Sequence, residues 1–180
     1  MFNGAEAILV GIAKSGVLSV HEDAVPVDHL PVLLVALDDD RLALPLASVV
    51  EVLPAIALAP LPIAPDVVRG IANVRGRVLP VLDLRTRLGG CRRPPRPDDH
   101  VVVCRVGDRT VGVWLDHAIG LAVFSGAQLV PISEVGRAEH VEGVALLPDG
   151  TVLVCDVRSF LSADEAIGLG RALGNASQVS

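Results

Sequence analysis

The sequence predicts a mainly all-β protein built from two similar halves, and three observations carry that reading. Just over half of the chain is apolar, with no Tyr, one Trp and three Phe; Val, Leu and Ala dominate it, and β-branched side chains favour pleated strands. Short apolar runs alternate with Gly, Pro, Asn and Asp turns, a pattern of small barrels more than of one open sheet. The later part of the chain also repeats the earlier part. At 180 residues, one domain or two small lobes sharing a core is the expected size class.

The elements follow in order. Residues 1–30 have no clean period, and His21 to His29 mixes acids with prolines, so this arm is read as partly ordered and given no function. Val32–Leu37 and Arg41–Leu46 are apolar runs joined by Asp38-Asp39-Asp40, a hairpin signal. Ala47–Leu53 continues as strand, and the proline-punctuated stretch to Pro65 is a connection. Pro65 and Asp66 start a short helical turn ending near Gly70. Val78–Leu82 is a strand, Asp83–Leu88 a short helical turn, and Gly89-Gly90 stops it. Residues 89–99 form a polar, stiff linker. His100–Val106 and Thr110–Leu115 make a second hairpin about Gly107-Asp108. At the end, Ser162 and Glu165 form a capping box, and Ala166, Ile167, Leu169, Ala172 and Leu173 give a helix over 163–173 its apolar stripe, with Gly174 ending it.

An offset of 69 residues sets Leu42 on Val111, Leu44 on Val113 and Leu46 on Leu115. An offset of 73 runs without gaps from Val68/Val141 to Leu88/Leu161, pairing Gly70 with Gly143, Asp83 with Asp156 and Arg85 with Arg158. The halves, about 31–90 and 100–162, are read as two lobes. Each is too short to bury its own strands, so the lobes are expected to share apolar surface.

Charge and motifs narrow the function. The formal net charge of −6 hides eight arginines at 69, 75, 77, 85, 87, 92, 93 and 96, with Asp83 the one acid among them. A local positive patch is expected there. A nucleic-acid-binding barrel using this segment is the rival reading; acidic flanks and the lack of interleaved aromatics oppose it. Histidines 21, 29, 100, 117 and 140 lack metal-ligand spacing and are read as exposed, and no Cys pair makes a C-x-x-C. No phosphate loop, nucleophile elbow or paired carboxylates occur. An enzyme, a cofactor and a metal are therefore not expected. Val52 to Pro65, the longest uncharged stretch, is too short and too proline-rich to span a membrane. With no basic leader and an odd set of cysteines (Cys91, Cys104 and Cys155), a cytoplasmic location with reduced thiols is expected.

The repeat supplies an internal control. Where the first half reads Asn73-Val74-Arg75-Gly76-Arg77, the second reads Leu146-Leu147-Pro148-Asp149-Gly150, an ordinary turn. The fold does not need Asn and Arg there, which favours binding. The alternative is that Asn73 adopts a left-handed backbone and Arg75 is a solvated charge.

The run from Gly70 to Leu84 contains Asn-x-Arg-Gly-x-x-x-Pro-Val-x-Asp-Leu. It resembles the signature of the CheW-like domain of bacterial chemosensory systems, and the similarity extends over about residues 31–173. The resemblance implies two pseudo-equivalent five-stranded β-barrel lobes around a shared hydrophobic core. It also implies a non-catalytic adaptor that couples methyl-accepting chemoreceptors, at their cytoplasmic tips, to the regulatory domain of a CheA-type histidine kinase. A scaffold of a motility or gene-regulation cascade would carry the same residues. By position, Glu51, Gly70, Asn73, Arg75, Gly76, Arg77 and Val78 fall on the partner-binding stretch. Arg75 would be the contacting cation, and Gly76 would let a partner backbone approach. Val49 and Val78 would line a receptor groove, with plain core packing the other reading of both. The sequence departs from the family at its first strand, where Leu34, Val35 and Leu37 replace aromatics.

Overall fold

A computed structural model of the chain describes residues 10–11, 29–135 and 140–176. Its strands are β1 (Val10–Gly11), β2 (His29–Leu37), β3 (Asp40–Pro45), β4 (Val49–Pro54), β5 (Val68–Val74), β6 (Arg77–Asp83), β7 (His100–Val106), β8 (Arg109–Leu115), β9 (His117–Ser125), β10 (Leu129–Pro131), β11 (Val141–Leu147) and β12 (Gly150–Cys155). A single-turn α1 (Ile132–Val135) precedes the one long helix, α2 (Ala163–Ala176). The fold is mainly β, as the composition implies.

Two expectations change. The strands form a seven-stranded sheet, β1-β9-β2-β3-β12-β11-β10, and a five-stranded sheet, β4-β7-β8-β6-β5. Neither is a closed barrel. Nor do the sheets follow residues 31–90 and 100–162, because the halves exchange hairpins. The β2–β3 hairpin lies in the sheet of β9 to β12, and the β7–β8 hairpin lies in the sheet of β4 to β6. Parallel pairs seal both exchanges, Leu42 with Leu153 and Leu82 with Val113.

Burial explains the exchange. Leu33, Val35, Leu42 and Leu44 from one hairpin meet Val102, Cys104, Val111 and Val113 from the other in one core between the sheets. The alternate residues point the opposite way. Val32, Leu34 and Ala43 fill the hollow of the larger sheet, and Val101, Val103 and Trp114 that of the smaller. Both hairpins are thus buried on both faces, which is why they read as unbroken apolar runs. Leu61 and Val67 tie the proline-rich connection into the same shared core.

The repeat is visible as geometry. Strands β5 and β11, 73 residues apart in register, each shift register against the following strand, at Val68/Gly70 and Val141/Gly143. A Cβ on Gly70 would lie 2.6 Å from the Ala59 carbonyl oxygen, and one on Gly143 would lie 2.8 Å from that of Val130. In both halves a neighbouring backbone passes too close for any side chain. No helical turn runs from Pro65 to Gly70; the Val68 N–H donates to the Pro65 carbonyl (2.8 Å), and Gly70 belongs to β5. Strands β1, β5, β9, β10, β11 and β12 are additions to the expected elements.

At the C-terminus, the Ser162 hydroxyl accepts from the Glu165 N–H (3.3 Å) and the Glu165 carboxylate from the Ser162 N–H (2.9 Å), completing the capping box. The helix runs through Gly174 to Ala176. Leu169 and Ala172 are buried, but Ile167 points outward and does not join the apolar stripe. Arg87 holds Glu165 and docks the helix start. Of the arm at 1–30, Val10–Gly11 pairs with β9 and His29–Leu30 opens β2; the rest lies outside the described residues.

A network of charges joins the sheet ends. Arg85, fully buried, donates to Asp38 (3.1 Å), to Asp83 (3.1 Å) and to Asp116. Asp38 is the tip of the β2–β3 hairpin, Asp83 ends β6 and Asp116 follows β8. Arg69 binds the other oxygen of Asp83 and lies 4.8 Å over the Trp114 ring. The Trp114 indole N–H donates to Asp99 (2.8 Å). Arg93 pairs with both Asp99 and Asp116. The 89–99 segment, expected as a plain linker, is therefore pinned at Arg93 and Asp99. Burial pushes the Asp99 carboxyl up, but hydrogen bonds from Arg93, the Arg96 N–H and Trp114 outweigh it and hold it at about 2.

Two outcomes follow. Gly143→Val should lower stability by about 1–3 kcal/mol through overpacking; a urea midpoint unchanged from the parent would contradict the close approach at Val130. The depressed Asp99 contributes stability that is whole above its ordinary value of 3.8 and is lost as pH falls towards about 2. Asp99→Asn should flatten that stretch of the acid-unfolding curve and cost about 3–5 kcal/mol at pH 7, since it leaves buried guanidinium poorly paired. Parallel acid titrations of the two proteins, followed by circular dichroism, check this.

Candidate functional site

The β5–β6 hairpin carries most of the candidate residues, and its turn is unusual. Arg75 (φ 52°) and Gly76 (φ 80°) both have left-handed backbones, as a two-residue turn matched to strand twist requires. Gly76 meets this need at no steric cost, and a Cβ there would touch nothing within 4 Å. Arg75 meets it at about 1–2 kcal/mol. Asn73 is extended within β5, and its side-chain oxygen accepts from the Gly76 N–H (2.9 Å). The left-handed residue is therefore Arg75 and not Asn73, whose side chain closes the turn. In the second half the equivalent turn, Pro148-Asp149, is closed differently and sends Asp149 to Arg41 (2.6 Å).

The Arg75 side chain, 76% exposed, turns its guanidinium to Glu51, with Nη2 2.9 Å from Oε2 and Nη1 3.4 Å from Oε1. Glu51 lies on β4, so this pair draws one edge of the five-stranded sheet to the turn at its other edge. Arg77 and Val78 are exposed beside the turn, Val78 at 62%. Glu51, Asn73, Arg75, Gly76, Arg77 and Val78 thus form one solvent-facing region.

Two other candidates fall elsewhere. Gly70 is buried against Ala59 and has a packing role. Val49 packs on the shared core, while its neighbour Val50 faces solvent. Sequence reading passed over Val50; the alternation of an edge strand was the signal that could have found it.

The expected positive patch is largely dissolved. Arg69, Arg85, Arg87 and Arg93 are engaged by Asp83, Asp38, Asp116, Asp99 and Glu165, and Arg75 shares Glu51. Arginines absorbed into the fold cannot also grip phosphates, and Arg77, Arg92 and Arg96 are what the segment leaves exposed without a carboxylate partner among the described residues, which weakens the nucleic-acid reading. Among the histidines, His29 and His117 are exposed, whereas His100 and His140 are half-buried, and His140 meets Ser159 Oγ at 2.9 Å. His21 lies outside the described residues. Cys104 and Cys155 are core residues whose thiols burial pushes up to about 12. Among the described residues, no group of three His, Cys, Asp or Glu is placed to hold a metal ion, and no helix is long and apolar enough to cross a membrane.

Comparison with known proteins agrees with this architecture. The model of the CheW-like domain matches residues 31–165. The chain is 37% identical over 108 residues to Protein FrzA of Myxococcus xanthus, across 59% of this chain and 68% of that one. It is 26% identical over 104 residues to Chemotaxis protein CheW of Klebsiella aerogenes, across 56% of this chain and 63% of that one, less than two thirds of its length. The crystal structure of scaffolding protein TtCheW from Thermoanaerobacter tengcongensis shares the fold with a TM-score of 0.69 at 21% identity, covering 76% of this chain and 94% of that one. Since the matched model spans most of the chain, including both exchanged hairpins and the β5–β6 turn, the protein belongs to the CheW-like domain family.

Proposed function

We propose that the chain is a non-catalytic adaptor that couples chemoreceptors to a CheA-type histidine kinase in a bacterial chemosensory array. The observation that carries this reading is Arg75. An arginine occupies a left-handed turn position where Asn or Gly would fold at lower cost, and its side chain is left mostly in solvent. Strain retained at an exposed charge points to a use outside the fold.

In this reading Arg75 meets a carboxylate or carbonyl on the kinase regulatory domain, and Glu51 holds the guanidinium in place until it does. Apolar surface, with Val50 and Val78 its exposed members, supplies most of the affinity, while the charge sets register and encounter rate. Receptor tips bind the same adaptor, so kinase and receptor are held in one geometry. The reading includes no cofactor, no nucleic acid and no insertion into the membrane, and it places the protein in the cytoplasm with the receptors' signalling ends. A second reading, a scaffold for a cascade other than swimming chemotaxis, is favoured by the 37% identity to a relative named FrzA, against 26% for one named CheW.

Calorimetric titration of the chain into the regulatory domain of the CheA-type kinase from the same genome tests the proposal. The parent should bind with a micromolar constant. Arg75→Glu should weaken binding about tenfold or more while changing stability by no more than about 1 kcal/mol, the range of an exposed ion pair. Arg75→Asn is the sharper variant, because it eases the turn and removes the cation together. It should melt at or above the parental temperature and still bind more weakly. Parental affinity in Arg75→Asn would exclude the cation as a contact, and no binding by the parent would exclude this kinase as the partner.

A further inference from the structure

We propose that the outer face of α2 is a self-association surface on which a second copy of this chain docks antiparallel. The helix buries Leu169 and Ala172 against the core. Its opposite face presents Asp164, Ile167, Arg171 and Gly174, all exposed, in the spacing of one helical stripe. Ile167 is 54% exposed and stands between the two charges.

The order of charges along this stripe identifies the occupant. Asp164 and Arg171 lie two turns apart, about 10 Å along the axis at 1.5 Å per residue, too far to pair within one helix. Among the described residues nothing else engages them. Reversed end to end, acid–apolar–base becomes base–apolar–acid, which is its own complement. A two-fold axis between Ile167 and Gly168 sets Asp164 of one copy opposite Arg171 of the other, twice, and brings the two Ile167 side chains together on the axis. That is an isologous contact.

A neighbouring loop flanks the helix and carries a second exposed apolar residue. A Cβ on Gly168 would lie 3.3 Å from Pro65 Cγ, so the loop ending at Pro65 runs along the flank of the helix. This loop holds Ile63 at φ 60° with 87% of the residue exposed. A β-branched residue there is strained, and the isolated chain gains no burial from it. The helix is only 14 residues long, so the contact is below the size of a stable interface, and a dissociation constant of about 10–100 μM is expected.

Sedimentation velocity across about 10 μM to 1 mM protein, at low and high salt, tests this surface. The parent should pass from monomer to dimer, more weakly at high salt. Ile167→Asp and Asp164→Arg should each weaken the dimer about tenfold or more, with thermal melts showing that the fold persists. The exchange of both charges, Asp164→Arg with Arg171→Asp, should restore dimerisation, which a purely structural role for either residue would not do. A monomer at every concentration, a dimer indifferent to Ile167→Asp, or an exchange that fails to rescue would each overturn the proposal. None of these outcomes depends on the kinase titration.

Discussion

The hairpins β2–β3 and β7–β8 bury both of their faces, and the rest of the structure is arranged around that constraint. A strand with no solvent side needs apolar cover above and below it, and neither half of this chain has enough strands to provide both. Each hairpin is covered on one side by its counterpart and on the other by strands from the opposite half. The parallel pairs Leu42/Leu153 and Leu82/Val113 are the junctions that result.

Such packing leaves polar groups to enter the joint at the hairpin ends. Asp38 and Asp116 stand at those ends, and the buried Arg85 links them to Asp83 across the two sheets. Arg93 and Asp99 extend the linkage into the connecting segment and onto the Trp114 indole. A buried guanidinium is tolerable only with its carboxylates in place, so the network specifies how one sheet sits on the other as much as it stabilises either. The second half keeps the same local motif in the open: Asp156 accepts from the Arg158 N–H and side chain at the surface. The motif belongs to the repeat, and its burial belongs to the joint.

Much of this was legible in the sequence, for reasons that also mark where reading failed. The repeat survives as offsets of 69 and 73 because both halves use the same turn chemistry and the same glycine at a close backbone crossing, Gly70 and Gly143. Hairpin exchange left no trace, because periodicity reports which faces are buried and not which strand does the burying. The arginine segment misled for a similar reason. A run of cations reads as a surface patch until the aspartates that neutralise it, from positions 38 to 116, are brought alongside. At the candidate site, the contrast between the two turns pointed to the β5–β6 hairpin. It could not reveal that Arg75 takes the left-handed position, nor that Glu51 faces it, since β4 and the β5–β6 turn are remote in sequence and meet only when the sheet curls.

The exchange of hairpins also bears on how the chain reaches its native state. Leu42 finds its parallel partner only at Leu153, so the larger sheet is incomplete until nearly the whole family domain has left the ribosome. Until then the face of β2–β3 that packs on β11 and β12 lacks its full cover. Pairings of such long sequence separation close slowly because loop entropy is lost before contacts form. The same topology that locks the sheets together therefore makes this a slow folder, with its greatest exposure to aggregation during synthesis.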